Sequence, residues 1–118
     1  MTRLLIIMTV MLVALSLLPK AATAEMVNVK YQGPVDLTPF DCEFVSRSSL
    51  IKRVCYDAAN QYMIIKLRRT YYHYCEIDAG TVGALKAAES MGRYYKANIK
   101  GSGLDGPFDC RTHRVPNY

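Results

Sequence analysis

Three short segments rich in β-branched and aromatic residues follow one another in the middle of the chain, at 50–56, 62–67 and 71–77. Segments of this length and composition are typical of β-strands. The second and third are separated only by Arg68-Arg69-Thr70, which is long enough for a tight hairpin and for nothing larger. These two strands must therefore be antiparallel. A polar turn at 57–61 joins the first strand to the second, so the spacing predicts a three-stranded antiparallel meander.

The residue pattern changes after the third strand. Val82, Leu85 and Ala88 recur at intervals of three, which is the spacing expected of a helix. Asp78 suits the N-cap of that helix, and Ser90-Met91-Gly92 should break or kink it. The sequence thus predicts an α+β fold (β-β-β-α), in which the meander is followed by one kinked or two short helices.

Side chains alternate between the two faces of a sheet, so each predicted strand can be divided into two sets. The more apolar sets should lie on the face that the helix covers: Val54, Tyr56, Met63, Ile65, Leu67, Tyr72 and Tyr74. The other face should carry the remaining set: Arg53, Cys55, Ile64, Lys66, Arg68, Tyr71, His73 and Cys75.

The N-terminus has the three parts of a secretory signal peptide. Arg3 provides a positive charge, 4–18 is apolar, and Ala22-Thr23-Ala24 is a small-x-small cleavage site. We expect cleavage after Ala24 and export to the periplasm or the medium. The apolar run is shorter than the roughly 18 residues of a spanning helix and Pro19-Lys20 closes it, so no transmembrane anchor is expected in the mature chain.

Four cysteines are present, Cys42, Cys55, Cys75 and Cys110, and an even number in a short exported chain predicts disulfides. Cys55 and Cys75 lie on the two outer strands of the meander, about 9.5 Å apart at twice the strand spacing. A disulfide requires Cα atoms within about 7 Å of each other. Each core cysteine should therefore bond to Cys42 or Cys110 on a terminal arm that crosses the uncovered face. Both such pairings stay open.

A series of motifs runs through the region of the predicted strands and helix: Ser48-Ser49, Val54-Cys55-Tyr56-Asp57, Met63-x-Ile65-x-Leu67, Tyr72-His73-Tyr74 and Ala88-x-Ser90-x-Gly92-x-Tyr94-Tyr95. In order and spacing this series resembles the KTSC domain, a small family named for its place at the C-terminus of some lysyl-tRNA synthetases. The family also occurs alone in bacterial proteins. Its marker is a central Tyr-x-Tyr, here Tyr72 and Tyr74.

The resemblance implies a β-β-β-α fold and no known enzymatic activity, and RNA binding has been suggested for the family from its synthetase context. The family usually has glycine in the turn that is Arg68-Arg69-Thr70 here. Together with the signal sequence, the resemblance divides the chain into four parts: a signal peptide at 1–24, an N-terminal arm at 25–47, a KTSC-like domain at 48–101 and a C-terminal arm at 102–118.

The formal net charge of +5 includes Arg3 and Lys20, so the expected mature chain carries +3. This mildly basic charge is well below that of a dedicated nucleic-acid binder. The bare sheet face nevertheless combines cations with rings, a combination that can bind polyanions. The candidate contacts are Arg53, Lys66, Arg68, Arg69, Tyr71 and His73. The alternative is that these cations only keep exposed strands from pairing with other chains.

Other chemistries have weaker support in the sequence. Two histidines and no Gly-x-Ser-x-Gly motif make a nucleophilic enzyme hard to assemble, and no glycine-rich phosphate loop is present. His73-x-Cys75 and Cys110-x-x-His113 contain a possible set of zinc ligands, although export favours disulfides.

We therefore expect an exported, non-catalytic binding module with no cofactor and no metal. Its partner would be a polyanion or another component of the cell envelope. RNA binding, as suggested for the family, is one alternative, although export removes most RNA partners. A thiol-redox or zinc-binding protein is the other.

Overall fold

The computed structural model describes residues 24–101 and 106–118. These residues form six strands: β1 Met26–Val29, β2 Gly33–Asp36, β3 Asp41–Phe44, β4 Ile51–Asp57, β5 Tyr62–Leu67 and β6 Thr70–Tyr74. Two helices follow, α1 Ala79–Ala87 and α2 Met91–Tyr95, and α2 continues into a π-helical turn, Lys96–Lys100. The predicted signal peptide lies outside the described residues, except for Ala24.

All six strands belong to one sheet, in the order β2-β1-β6-β5-β4-β3. Strand β1 is parallel to β6, and every other neighbouring pair is antiparallel, so the sheet is mixed. The sheet also curls, since Arg53 on β4 reaches across to Glu25, the residue before β1. The prediction of a three-stranded meander is wrong, because β4, β5 and β6 are only the middle of this larger sheet.

The additional strands come from residues that the sequence analysis treated as an arm. Strand β1 lies in the interior of the sheet, between β2 and β6. Strand β2 contains Pro34, which lacks an amide hydrogen and is tolerated because β2 is an edge strand. Strand β3 forms the other edge and pairs with β4.

Two hydrophobic clusters lie on opposite faces of the sheet. The first joins the helices to the face that alternation assigned to them: Ile51, Val54, Tyr56, Met63, Ile65, Ile77, Val82, Leu85, Met91, Tyr95 and Ile99. Leu67, Tyr72 and Tyr74 are half-buried and pack against this cluster. The alternation pattern therefore identified the helix-covered face correctly, since all seven residues assigned to it belong to the cluster or contact it.

The opposite face is covered by residues from the N-terminal strands and their loops. Val27, Val29, Val35, Leu37 and Phe40 form a second cluster there. On the sheet side they meet four buried residues: Cys55, Tyr62, Ile64 and Cys75. This face is therefore a second core.

The disulfides join Cys42 to Cys55 and Cys75 to Cys110. Each bond therefore connects a cysteine of the predicted core to a cysteine of a predicted arm. The prediction of disulfide-fastened terminal arms is nevertheless wrong. Cys42 is part of the sheet and lies directly opposite Cys55 in the β3–β4 ladder. Both bonds are internal to the folded structure, and the face that the arms were to cross is a second core instead.

Local signals in the sequence explain where the helices begin. The Asp78 side chain accepts a hydrogen bond from the backbone amide of Thr81 and caps α1, as predicted. Ser90 does the same for the amide of Arg93 at the start of α2. Each helix has fewer than ten residues, and none in the described part of the chain is long and apolar enough to cross a membrane.

Candidate ligand-binding groove

An open groove with a volume of about 830 Å³ lies between β6, the π-helical turn and the C-terminal segment 106–118. Its basic lining residues are Lys30, Arg68, Lys96, Lys100 and Arg111, and its tyrosines are Tyr31, Tyr72, Tyr74 and Tyr95. Apolar and polar residues complete the lining: Gln32, Leu50, Leu67, His73, Gly106, Asp109, Cys110 and Val115. We call this feature the tyrosine-lined groove.

Turns at two strand ends place cations at the groove. Lys30 follows β1 directly, and its ammonium nitrogen lies 5.3 Å from the ring centre of Tyr31 and 5.7 Å from that of Tyr72. Arg68 occupies the β5–β6 turn with a φ of 55°, a left-handed conformation that favours glycine. Arg68 thereby adds a cation to the groove.

The π-helical turn presents two further cations on the same side of the chain. Lys96 and Lys100 are four residues apart in a segment whose turns are wider than those of an α-helix, and both line the groove. Buried Ile99 fixes this segment against the helix-side core, so the lysines are directed away from it.

Most of these cations have no carboxylate partner among residues 24–101 and 106–118. The ion pairs in that part of the chain are Arg53–Glu25, Lys86–Glu43 and Arg111–Asp109. The last of these lies at the groove, and none involves the other four lining cations: Lys30, Arg68, Lys96 and Lys100. The groove is therefore electropositive, and an anion that entered it would meet charges that are not already neutralised.

Two of the lining tyrosines, Tyr74 and Tyr95, are hydrogen-bonded to each other. The hydroxyls of Tyr74 and Tyr95 are 2.5 Å apart, and their rings meet edge to face with centres separated by 5.9 Å. Burial raises the pKa of both phenols, so both stay neutral at physiological pH. The alternation of side chains predicts Tyr72 and Tyr74 on the helix-covered face. They do pack against the helix-side cluster, but both also line the groove.

Arg53 does not form part of an open cationic surface. Only 6% of it is exposed, and its guanidinium makes two hydrogen bonds to the Glu25 carboxylate, of 2.6 and 2.9 Å. A third bond of 3.2 Å reaches the hydroxyl of Tyr71, and the ring of Phe44 lies 4.5 Å away. Arg53 and Tyr71 are therefore occupied within the protein.

The other predicted contacts are distributed over separate places. Lys66 is half-buried, with its ammonium nitrogen 5.4 Å from the ring centre of Tyr71. Arg69 is exposed but lies outside the groove lining. His73 lines the groove, although its Nδ1 atom is 2.8 Å from the hydroxyl of Tyr62, and burial lowers its pKa. Of the six predicted contacts, the structure brings only Arg68 and His73 into the groove.

The groove's remaining acid–base groups are held by neighbouring residues. Asp109 accepts hydrogen bonds from the side chain and backbone of Arg111, which lower the pKa of its carboxyl to about 2. Next to the groove but outside its lining, His113 lies with its Nδ1 atom 2.9 Å from the carbonyl oxygen of Asp109. All four cysteines are in disulfides. The groove therefore offers a ligand charged groups, aromatic rings and hydrogen-bonding groups, whereas these acid–base and thiol groups are engaged by other residues.

The structure brings together three of the four predicted zinc ligands. Possible ligand atoms of His73, Cys75 and Cys110 all lie within 4.8 Å of one another. His113, the fourth residue of the predicted set, is not in that group. In the form described here the two sulfur atoms are bonded to each other, which leaves the imidazole as the available ligand.

The predicted contacts do not include the exposed Tyr31 or four of the five groove cations: Lys30, Lys96, Lys100 and Arg111. The spacing of Lys96 and Lys100 was a readable signal, since residues four apart share one side of a helix. No comparable signal pointed to Lys30 and Tyr31, because their position depends on β1 pairing with β6, which is far away in sequence.

Comparison with known proteins agrees with the central part of the fold. A family model described as the KTSC domain matches residues 47–102. Among solved structures, the crystal structure of a KTSC domain protein from Yersinia pestis is 30% identical, with a TM-score of 0.50. The similarity covers 52% of this chain and 87% of that one. A search of curated proteins gave no match. On the family match and the similarity to this structure together, the chain belongs to the KTSC domain family.

Proposed function

We propose that this protein is an exported, non-catalytic module that binds an anionic ligand of the cell envelope in the tyrosine-lined groove. The observation that carries the proposal is the set of four lining cations without a carboxylate partner among the described residues: Lys30, Arg68, Lys96 and Lys100. A ligand with phosphate or carboxylate groups would gain most from such a surface.

The size and the rings of the groove support the same proposal. A volume of about 830 Å³ lies within the range of roughly 300–1,000 Å³ that is usual for ligand sites, so several sugar or phosphate units fit. Tyr31 is 86% exposed beside Lys30, where a flat ring of the ligand can stack on it. A ligand that alternates rings with anionic groups would use both features.

A binding role without catalysis is supported by the state of the groove's reactive groups. His73 is hydrogen-bonded to Tyr62 and Asp109 to Arg111, and Cys110 is in a disulfide. A general base must be free to take a proton from a substrate or water. Each of these groups would first have to leave its present partner.

Export is supported by the two disulfides together with the N-terminal sequence. Disulfides persist in the periplasm and outside the cell, whereas the cytosol keeps thiols reduced. The basic, apolar and small-x-small segments at 1–24 have the order of a secretory signal.

Single-stranded nucleic acid is a second candidate ligand, favoured by the exposed ring of Tyr31 beside a row of cations, the combination used to hold stacked bases. The family's synthetase context points the same way by analogy. Export favours the envelope ligand instead. A binding comparison between the two kinds of polymer separates these candidates.

The test compares two charge-matched double variants in titrations with inorganic polyphosphate and with single-stranded RNA. K96Q/K100Q removes two groove cations, whereas R69Q/R93Q removes two exposed cations outside the groove. We expect the groove variant to lose about tenfold in affinity for polyphosphate and about two units of salt slope, with the control near the unchanged protein. Equal losses in both variants would show that binding is not localised to the groove. Preference for RNA would favour the second candidate.

A further inference from the structure

A cluster of metal-ligating residues lies at the junction between β6 and the C-terminal segment. His73 and Cys75 are two residues apart at the end of β6, so they lie on the same side of the extended chain. Cys110 approaches them from the C-terminal segment, and possible ligand atoms of all three residues lie within 4.8 Å of one another. None of these three residues is among the four cations that carry the anion-binding proposal.

We infer that reduction of the Cys75–Cys110 bond converts this cluster into a zinc site, with His73, Cys75 and Cys110 as ligands. A dithiol reductant supplies two electrons and two protons, the S–S bond breaks, and two thiols form while the reductant becomes a disulfide. Zinc then displaces the two thiol protons and takes two thiolates and one neutral imidazole. Water from the groove fills the fourth position, since His73 and Cys110 line the groove.

The spacing of the ligand atoms suits a tetrahedral ion. With zinc–sulfur bonds of about 2.3 Å, the two thiolate sulfurs of a tetrahedral site are about 3.8 Å apart. A cluster whose ligand atoms lie within 4.8 Å of one another needs only small side-chain movements to reach that geometry once the sulfurs separate. The backbone amide of Cys75, which donates to the carbonyl oxygen of Phe108 at 2.9 Å, continues to hold the two segments together.

A neighbouring tyrosine already orients the imidazole. The hydroxyl of Tyr62 lies 2.8 Å from His73 Nδ1, and only 1% of Tyr62 is exposed. Metal-ligating histidines usually have their second ring nitrogen fixed by such a partner. Nε2 is thereby the ring nitrogen that can take the metal. Zinc bound here would replace the disulfide as the link between β6 and the C-terminal segment, so the wall of the groove persists under reducing conditions.

The other disulfide provides a matched control. Cys42 and Cys55 also give two thiols on reduction, but among the described residues they belong to no group of three possible metal ligands. The experiment titrates the full mature chain with zinc, and with cobalt for its thiolate-to-metal absorption, with and without a phosphine reductant. The same titration is repeated on C42A/C55A and on H73A.

We expect one zinc per chain for the reduced protein and for reduced C42A/C55A, none for the oxidised protein, and at least a tenfold weaker site in reduced H73A. Unchanged affinity in H73A, or loss of the site in C42A/C55A, would overturn the inference. Because unfolded thiols also bind metals, far-UV circular dichroism is recorded in parallel. A reduced chain that stays unfolded with zinc would overturn the inference as well. The anion-binding proposal is tested on the oxidised protein, so the two can fail separately.

Discussion

Removing the Cys75–Cys110 bond should destabilise the protein more than removing the Cys42–Cys55 bond. The two bridges span sequence separations of 35 and 13 residues. The loop-entropy relation converts these spans into about 3.8 kcal/mol and about 2.9 kcal/mol of stability at 25 °C. Each pair includes one fully buried cysteine, Cys75 or Cys55, so substitution by alanine leaves comparable small cavities. The difference between the two double variants therefore reports mainly the lengths of the closed loops.

The same pair of variants should differ in binding. The Cys75–Cys110 bond fixes the segment that supplies Asp109, Cys110 and Arg111 to the groove, whereas the Cys42–Cys55 bond lies in the β3–β4 ladder away from the groove lining. We expect C75A/C110A to bind polyphosphate more weakly than the unchanged protein. C42A/C55A should bind it equally well.

Urea denaturation followed by far-UV circular dichroism measures the stabilities, since the chain has no tryptophan to report unfolding. Binding is measured without urea on variants whose spectra match that of the unchanged protein. Two results would refute the reasoning. One is a larger stability loss in C42A/C55A, which would mean that loop length does not set the order. The other is an equal loss of affinity in both variants, which would mean that the second bridge does not shape the groove.

Two further predictions concern His73 and the N-terminus. Burial lowers the pKa of His73 below 6.5, so the unfolded chain takes up this proton first and stability should fall as the pH drops below about 6.5. Melting temperatures measured from pH 8 to pH 5 should fall less for H73Q, and equal slopes would contradict this cause. Export predicts that N-terminal sequencing of the protein from its own host begins at Glu25, whereas a start at Met1 would contradict cleavage.

The central strands could be predicted because their signals are local. Alternation along β4 and β5 places Val54, Met63 and Ile65 on one face, and all three are fully buried against the helices. The N-cap at Asp78 likewise depends on neighbouring residues alone. The helix is interrupted at 88–90, two residues before the predicted break at 90–92, because Ser90 caps a new helix that includes Met91 and Gly92. In each case the residues within a few positions determine which face a side chain lies on or where a helix begins.

The N-terminal strands could not be predicted, because each has only four residues and draws its stability from distant partners. Strand β3, Asp41–Phe44, alternates polar and apolar residues over only four positions, which is too short to identify a strand, and its Phe44 is 80% exposed. Its position is fixed by pairing with β4 and by the bond to Cys55. Neither contact can be inferred from the composition of the segment.

Arg53 shows the same limit for the candidate site. Arginine is seldom buried, so Arg53 was expected to be exposed. The predicted cationic face depended on that exposure. In the folded chain its charge is neutralised by Glu25, which is 28 residues away. Only the curl of the six-stranded sheet brings these two residues together.

The groove includes residues from outside the region that the family model matches. Residues 47–102 supply Arg68, Lys96 and Lys100, whereas Lys30 comes from the turn after β1 and Arg111 from the C-terminal segment. Two of the five lining cations therefore lie on parts of the chain outside the matched region. A relative that shares only the matched region would lack the wall formed by the C-terminal segment and the Lys30–Tyr31 platform. Ligand preference should therefore differ between such relatives and this chain, even where the matched region is similar.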